Sequence, residues 1–141
     1  LEFIDIDKEI EKKIGMSIKE IFNSKGENYF RKLEEKVTLK KLKLNTTVIS
    51  LGGGAFVNQQ IRKEVLKKHI SFWLNWSDQT LLNRIRNSAK RPLAYKSSDD
   101  KLIELIKNRS DLYSKALYKI KCDNLSKKEI VKKVLKIYET Y

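Results

Sequence analysis

Of 141 residues, 31 are Lys or Arg and 18 are Asp or Glu, a formal net charge of +13. Hydrophobic content of 40% beside 35% charged marks one folded domain, long enough to bury a core. The longest uncharged stretch, Leu44 to Ile61, is broken by Asn45, Thr46, Thr47 and three glycines, which excludes a membrane-spanning helix. Single Cys122 and single His69 exclude an internal disulfide framework and a Cys-rich metal site, and leave little for a histidine zinc site or a Ser-His triad. With no visible leader peptide, a reducing cytoplasmic setting is expected.

In chain order, Phe3 to Ile6 reads as a short strand. It starts at Leu1 with no initiating Met and no polar lead-in, so the natural start is expected upstream. Asp7 is placed to cap a helix carrying Ile10 and Ile14, which Gly15 ends. Ser17 and Glu20 have capping-box spacing ahead of a second helix. From Glu27 a longer helix puts Phe30, Leu33 and Val37 on one face. Thr46 to Leu51 is β-branched and apolar, predicting a buried strand that runs into Gly52-Gly53-Gly54. Asn58 caps a helix with Ile61, Val65 and Leu66. Ile70 to Leu74 is another apolar strand, and Ser77 opens a helix through Leu81, Leu82 and Ile85. Residues 88–98, with the only proline, Pro92, predict an exposed loop. A long helix follows from Leu102 to Ala116, then a weaker strand near Tyr118 to Cys122. Ser126 and Glu129 repeat the capping-box spacing before a last helix with Ile130, Val134 and Tyr138. Strands alternating with helices predict an α/β fold, a mostly parallel sheet with helices on both faces. Residues 1–141 read as a single domain, without repeats.

Charge and rare residues point to the chemistry. Residues 1–60 carry 11 basic and 9 acidic side chains, whereas residues 61–141 carry 20 and 9. That asymmetry fits a solvated Lys-rich surface or an anionic partner. Lys outnumbers Arg 25 to 6, so a plain positive charge is usually supplied by Lys. The arginines are Arg31, Arg62, Arg84, Arg86, Arg91 and Arg109, and a planar guanidinium grips carboxylate or phosphate with two parallel bonds, as Lys cannot. In parallel sheets ligands bind beyond the carboxyl ends of the strands, where Asp5, Asp7 and the three glycines fall. The aspartates fit a helix cap plus a solvated carboxylate as well as they fit catalysis. Three consecutive glycines exceed what a plain turn needs and let a ligand approach bare backbone. Trp73 and the tyrosines Tyr113, Tyr118, Tyr138 and Tyr141 read as packing, Trp76 as a loop or rim residue, and Arg62 and Arg86 as surface charge. His69 and Cys122 are given no role.

The segments Phe3 to Asp7, Gly15 to Phe22, Gly26 to Glu34, Val48 to Ala55, Arg91 to Leu93 and Arg109 to Tyr113, in that order, closely resemble shikimate kinase, of the nucleoside-monophosphate-kinase-like P-loop group. The resemblance spans nearly the whole chain. It implies a three-layer P-loop kinase-like fold and phosphoryl transfer from ATP, with Mg²⁺, to the 3-hydroxyl of shikimate. On this resemblance Asp7 is the substrate-binding carboxylate and candidate base, and Asp5 lies near Mg²⁺, acting through water. Arg31 and Arg109 grip the shikimate carboxylate, Glu34 holds Arg31, and Gly52, Gly53 and Gly54 present backbone to the ring. Arg91, in the lid loop around 88–98, reaches the ATP phosphates, a role worth about 10³–10⁵ in rate in studied phosphoryl transferases. Arg84 lies against the adenine, while the loop near Asn124 is assigned no contact. A monomer is expected, with no nucleic-acid or membrane partner, since aromatic residues are not interleaved with the basic ones.

A gluconate-kinase-like enzyme would share the architecture without needing Arg31 and Arg109 around one carboxylate. A non-catalytic kinase-like module would not explain why Asp7, Arg31, the glycines, Arg91 and Arg109 occur together. The resemblance also implies a Gly-x-x-x-x-Gly-Lys-Ser/Thr loop that this sequence lacks, expected before Leu1 within roughly 25–30 residues of strand, loop and helix. The strand lost with it would be the middle one of the sheet, leaving two strand edges unpaired. Residues 1–141 alone are therefore expected to be inactive and to fold poorly.

Overall fold

The computed structural model describes residues 1–88 and 97–141. Arg91, and with it most of the expected lid loop, lies outside the described residues. The order is β1 (Glu2–Asp5), α1 (Ile6–Ile14), α2 (Ile18–Lys25), α3 (Glu27–Lys41), β2 (Thr47–Ser50) and a 3-10 turn (Ala55–Val57). Then come α4 (Gln59–Lys68), β3 (Phe72–Asn75), α5 (Asp78–Arg86), α6 (Asp99–Tyr113), β4 (Tyr118–Lys121) and α7 (Lys127–Thr140).

Both strand pairings are parallel. β1 lies along β2 with Ile4 opposite Ile49, and β3 lies along β4 with Leu74 opposite Ile120. The strands form two separate pairs, and among the described residues no strand joins them, which agrees with the expected loss of the middle strand from an otherwise parallel sheet. Each pair has its own apolar packing. Ile4, Ile6, Ile10, Ile21, Phe30 and Val37 form one core, continued by a second around Ala55, Phe56, Ile61 and Val65, with Ile49 and Leu51 touching both. Leu82, Ile85, Leu102 and Ile106 join α5 to α6, while Ile120, Cys122 and Ile130 join β4 to α7. Fully buried side chains such as Ile6 and Ile10 each contribute about 1.5–3 kcal/mol through removal from water.

The run Thr46 to Leu51 does not behave as a strand buried on both faces. Ile49 packs inward, but Val48 is 47% exposed and its register partner Phe3 is 66% exposed. The helices of the first core cover one face of this pair only. Tyr138 and Tyr141 are likewise exposed rather than packed, whereas Tyr118 stacks on Phe72 at 5.5 Å.

Local chemistry sets the helix ends. Ser17, Asn58, Ser77 and Ser98 each accept a bond from a first-turn amide, and Ser126 with Glu129 closes a full capping box. The cap of α1 is a correction: Asp5, not Asp7, accepts from the Asp7 and Lys8 amides, at 3.0 and 3.4 Å. The helix begins directly at the strand end, so the residue still extended is Asp5, and Asp7 falls inside the first turn.

Candidate active site

The ends of β1 and β2, one face of α3 and the last turns of α6 converge on the three glycines. Side chains of the site approach the glycine backbone closely. A methyl group on Gly52 would lie 3.1 Å from Asp7 Oδ1 and 3.2 Å from Glu34 Oε2. One on Gly53 would lie 3.2 Å from Arg109 Nη1 and 3.8 Å from the Tyr113 hydroxyl. At Gly54 it would collide with the Arg31 guanidinium, 2.7 Å from Cζ and 2.8 Å from Nη2, with Nη1 nearer still. Asp7, Arg31, Glu34, Arg109 and the glycines, picked out from separate parts of the sequence, therefore form one cluster.

Helix α3 places Arg31 and Glu34 three residues apart, on neighbouring positions of one face. Arg31 Nη1 donates to Glu34 Oε1 at 2.9 Å, its Nε lies 3.6 Å from Glu27 Oε1, and its guanidinium covers the Phe30 ring at 5.2 Å. Phe30 in turn packs on Phe22, with ring centroids 4.7 Å apart. Glu34 is only 2% exposed, although it is a charged residue type. Burial pushes its carboxyl above the ordinary glutamate range; Arg31 and Arg109 oppose that shift and Asp7 adds to it. A buried carboxylate paired with one guanidinium and close to a second makes a positive pocket wall whose arginines have fixed directions. Asp7 places a second carboxylate beside Gly52, close to Glu34 and suited to accept a proton from a bound hydroxyl.

Bracing contacts around the glycines, beyond the expected Asn58 cap, escaped the sequence reading. Asn58 caps α4 by accepting from the Ile61 amide at 3.0 Å and donates to Glu35 of α3 at 2.5 Å. Arg62 is not free surface charge: its Nη1 donates to the carbonyls of Phe56 and Val57, at 3.1 and 2.9 Å, and so fastens the 3-10 turn. Tyr113 does more than pack, since its hydroxyl donates to the Gly53 carbonyl. Its spacing of four from Arg109, at the end of the Arg109 to Tyr113 segment, already put the two on a shared face.

Away from this cluster, Arg84 of α5 lies over the Trp76 ring at 4.5 Å, and Trp76, in the loop between β3 and α5 as expected, packs partly buried against the β4–α7 core. Arg86 pairs with Asp99 at 2.7 Å and donates to the Ser97 carbonyl at 2.5 Å, joining the end of α5 to the start of α6. Cys122 is buried, which pushes its thiol up and keeps it protonated. Among the described residues no group of three or more His, Cys, Asp or Glu could hold a metal ion, and no helix is long and apolar enough to cross a membrane.

Comparison with known proteins gives the chain its relatives. The family model for shikimate kinase matches residues 1–139. A shikimate kinase of Bartonella henselae is 36% identical over all of this chain and 68% of its own length, and one from a Sulfurihydrogenibium species is 38% identical over 96% of this chain and 81% of its own. Among solved structures, shikimate kinase from Acinetobacter baumannii in complex with shikimate superposes with a TM-score of 0.90 at 30% identity, over 99% of this chain and 79% of that one. The Aquifex aeolicus enzyme gives 0.84 at 31% identity, over 99% and 83%.

Proposed function

The chain belongs to the shikimate kinase family, and on that premise we propose that it transfers the γ-phosphoryl group of ATP to the 3-hydroxyl of shikimate. The observation that carries this reading is the convergence of Arg31, Glu34, Arg109 and Asp7 on Gly52, Gly53 and Gly54. Arg31 and Arg109 grip the carboxylate of the acceptor, and Glu34 holds Arg31 in direction. The glycine backbone lies along the ring. Asp7 orients the attacking hydroxyl and takes its proton as the new O–P bond forms and the bond from the γ-phosphorus to the bridging oxygen breaks, releasing ADP.

On the donor side we assign Arg84 to the adenine and Arg91 to the phosphates. Mg²⁺ is held largely by nucleotide phosphates and water in such enzymes. Asp5 would meet the hydrated ion with the oxygen not engaged in its cap. When bound, the ion neutralises charge on the phosphates. The open edges of the two strand pairs support a further assignment, that a strand and a phosphate-binding loop from the parent chain complete the sheet. The enzyme is also assigned to the cytoplasm and read as a monomer.

The test is isothermal titration of shikimate into the full-length protein and its Arg109→Ala variant, with ATP-dependent turnover measured in parallel. Binding by the parent that vanishes in the variant is expected. A well-folded parent that neither binds nor phosphorylates shikimate would overturn the reading.

A further inference from the structure

We propose that Tyr113 is a positioning residue for the carboxylate grip, fixing Arg109 and the Gly53–Gly54 peptide relative to each other. The proposal rests on the assignment of Arg109 to the substrate carboxylate made above. Tyr113 is the last residue of α6, where helices ordinarily fray, and the last turn carries no basic side chain to offset the helix dipole. Tertiary contacts hold this end instead. The Tyr113 ring lies 6.2 Å from Phe56, in the 3-10 turn that follows the glycines, and 6.1 Å from Trp73 of β3. Its hydroxyl donates to the Gly53 carbonyl, 60 residues away in sequence.

Two consequences follow from that one hydrogen bond. Arg109 stands one turn earlier on the same face of α6, so anchoring Tyr113 sets how far the Arg109 guanidinium reaches across Gly53. Gly53 and Gly54 have no side chains to restrain their peptide, and the peptide is planar and trans. Holding the Gly53 carbonyl on the α6 side therefore directs the Gly54 N–H the opposite way, as a fixed donor. Tyr113 touches neither the carboxylate nor the reacting atoms in this account. It acts through Arg109 and the backbone.

The test uses Tyr113→Phe, Arg109→Ala and the double variant in the full-length protein, with steady-state kinetics for each substrate and thermal melting. Phenylalanine keeps the ring between Phe56 and Trp73, so the fold is retained. The KM for shikimate is expected to rise about fivefold, the scale of one neutral hydrogen bond. The kcat and the KM for ATP should stay within about twofold, and the same change should add nothing in the Arg109→Ala background. An unchanged shikimate KM in Tyr113→Phe overturns the proposal, as does an equal penalty in both backgrounds. So does a parallel rise in both KM values with a lowered melting temperature, which marks a merely structural role. If Arg109→Ala itself leaves shikimate KM unaltered, the carboxylate assignment falls too, and that result is separable from the others.

Discussion

Arg31 occupies the volume that any side chain at position 54 would claim. The obstructing atoms are the far end of a flexible arginine, so the cost of a methyl group there falls on guanidinium placement and little on the fold. Gly54→Ala should therefore melt close to the parent while losing at least tenfold in shikimate affinity, which paired calorimetry and thermal melting would check. Glu34 gives a pH prediction. Burial raises its pKa, so the folded state takes up a proton at a higher pH than the unfolded chain. That proton's contribution to stability is complete below the ordinary glutamate value and is lost as pH rises through the raised one. Substrate affinity runs the other way, because the neutral acid no longer pairs with Arg31. Titrations of shikimate between about pH 4 and pH 8 should show affinity falling on acidification through the raised value. Glu34→Gln should remove that inflection.

At the level of elements, Asn58 ties α4 to α3 through its cap on Ile61 and its bond to Glu35, and both bonds steady the turn that follows the glycines. Asn58→Ala should cost about 1 kcal/mol in chemical denaturation, as helix caps generally do. The caps at Ser17, Asn58, Ser77 and Ser126 were legible because a cap is a contract between near neighbours. Asp5 and Asp7 were confused because both stand where strand becomes helix, and only the backbone of the transition decides which is extended. The partial burial of β2 could not be read, since an apolar run reports what a strand could bury and not which faces are covered. Arg31 and Glu34 were legible through a local spacing joined to a family pattern. Arg62 on the turn carbonyls and Tyr113 on Gly53 leave no periodic trace; the second depends on two segments 60 residues apart meeting in space.

Across the whole molecule, a net charge of +13 meets substrates that are anionic on the proposed reading. The kcat/KM for ATP should fall as ionic strength rises, more steeply than kcat, because screening weakens attraction over distances beyond about 8 Å at physiological salt. Stopped-flow or steady-state rates across a salt series would test this. The separation into two strand pairs has a further consequence. Asp7, Arg31, Glu34 and the glycines belong to the first pair and its helices, while Arg109 rides on α6, which packs with α5. Tyr113 already ties the end of α6 to the glycine segment, and a bound acceptor adds a second brace between the two strand pairs and their helices. In amide hydrogen exchange, shikimate should slow the end of α6 and the β1–α3 region together. Saturation at a hundred times Kd should raise the cost of opening either unit away from the other by up to about 2.7 kcal/mol. The molecule would then come nearest to a single cooperative body while it holds its substrate.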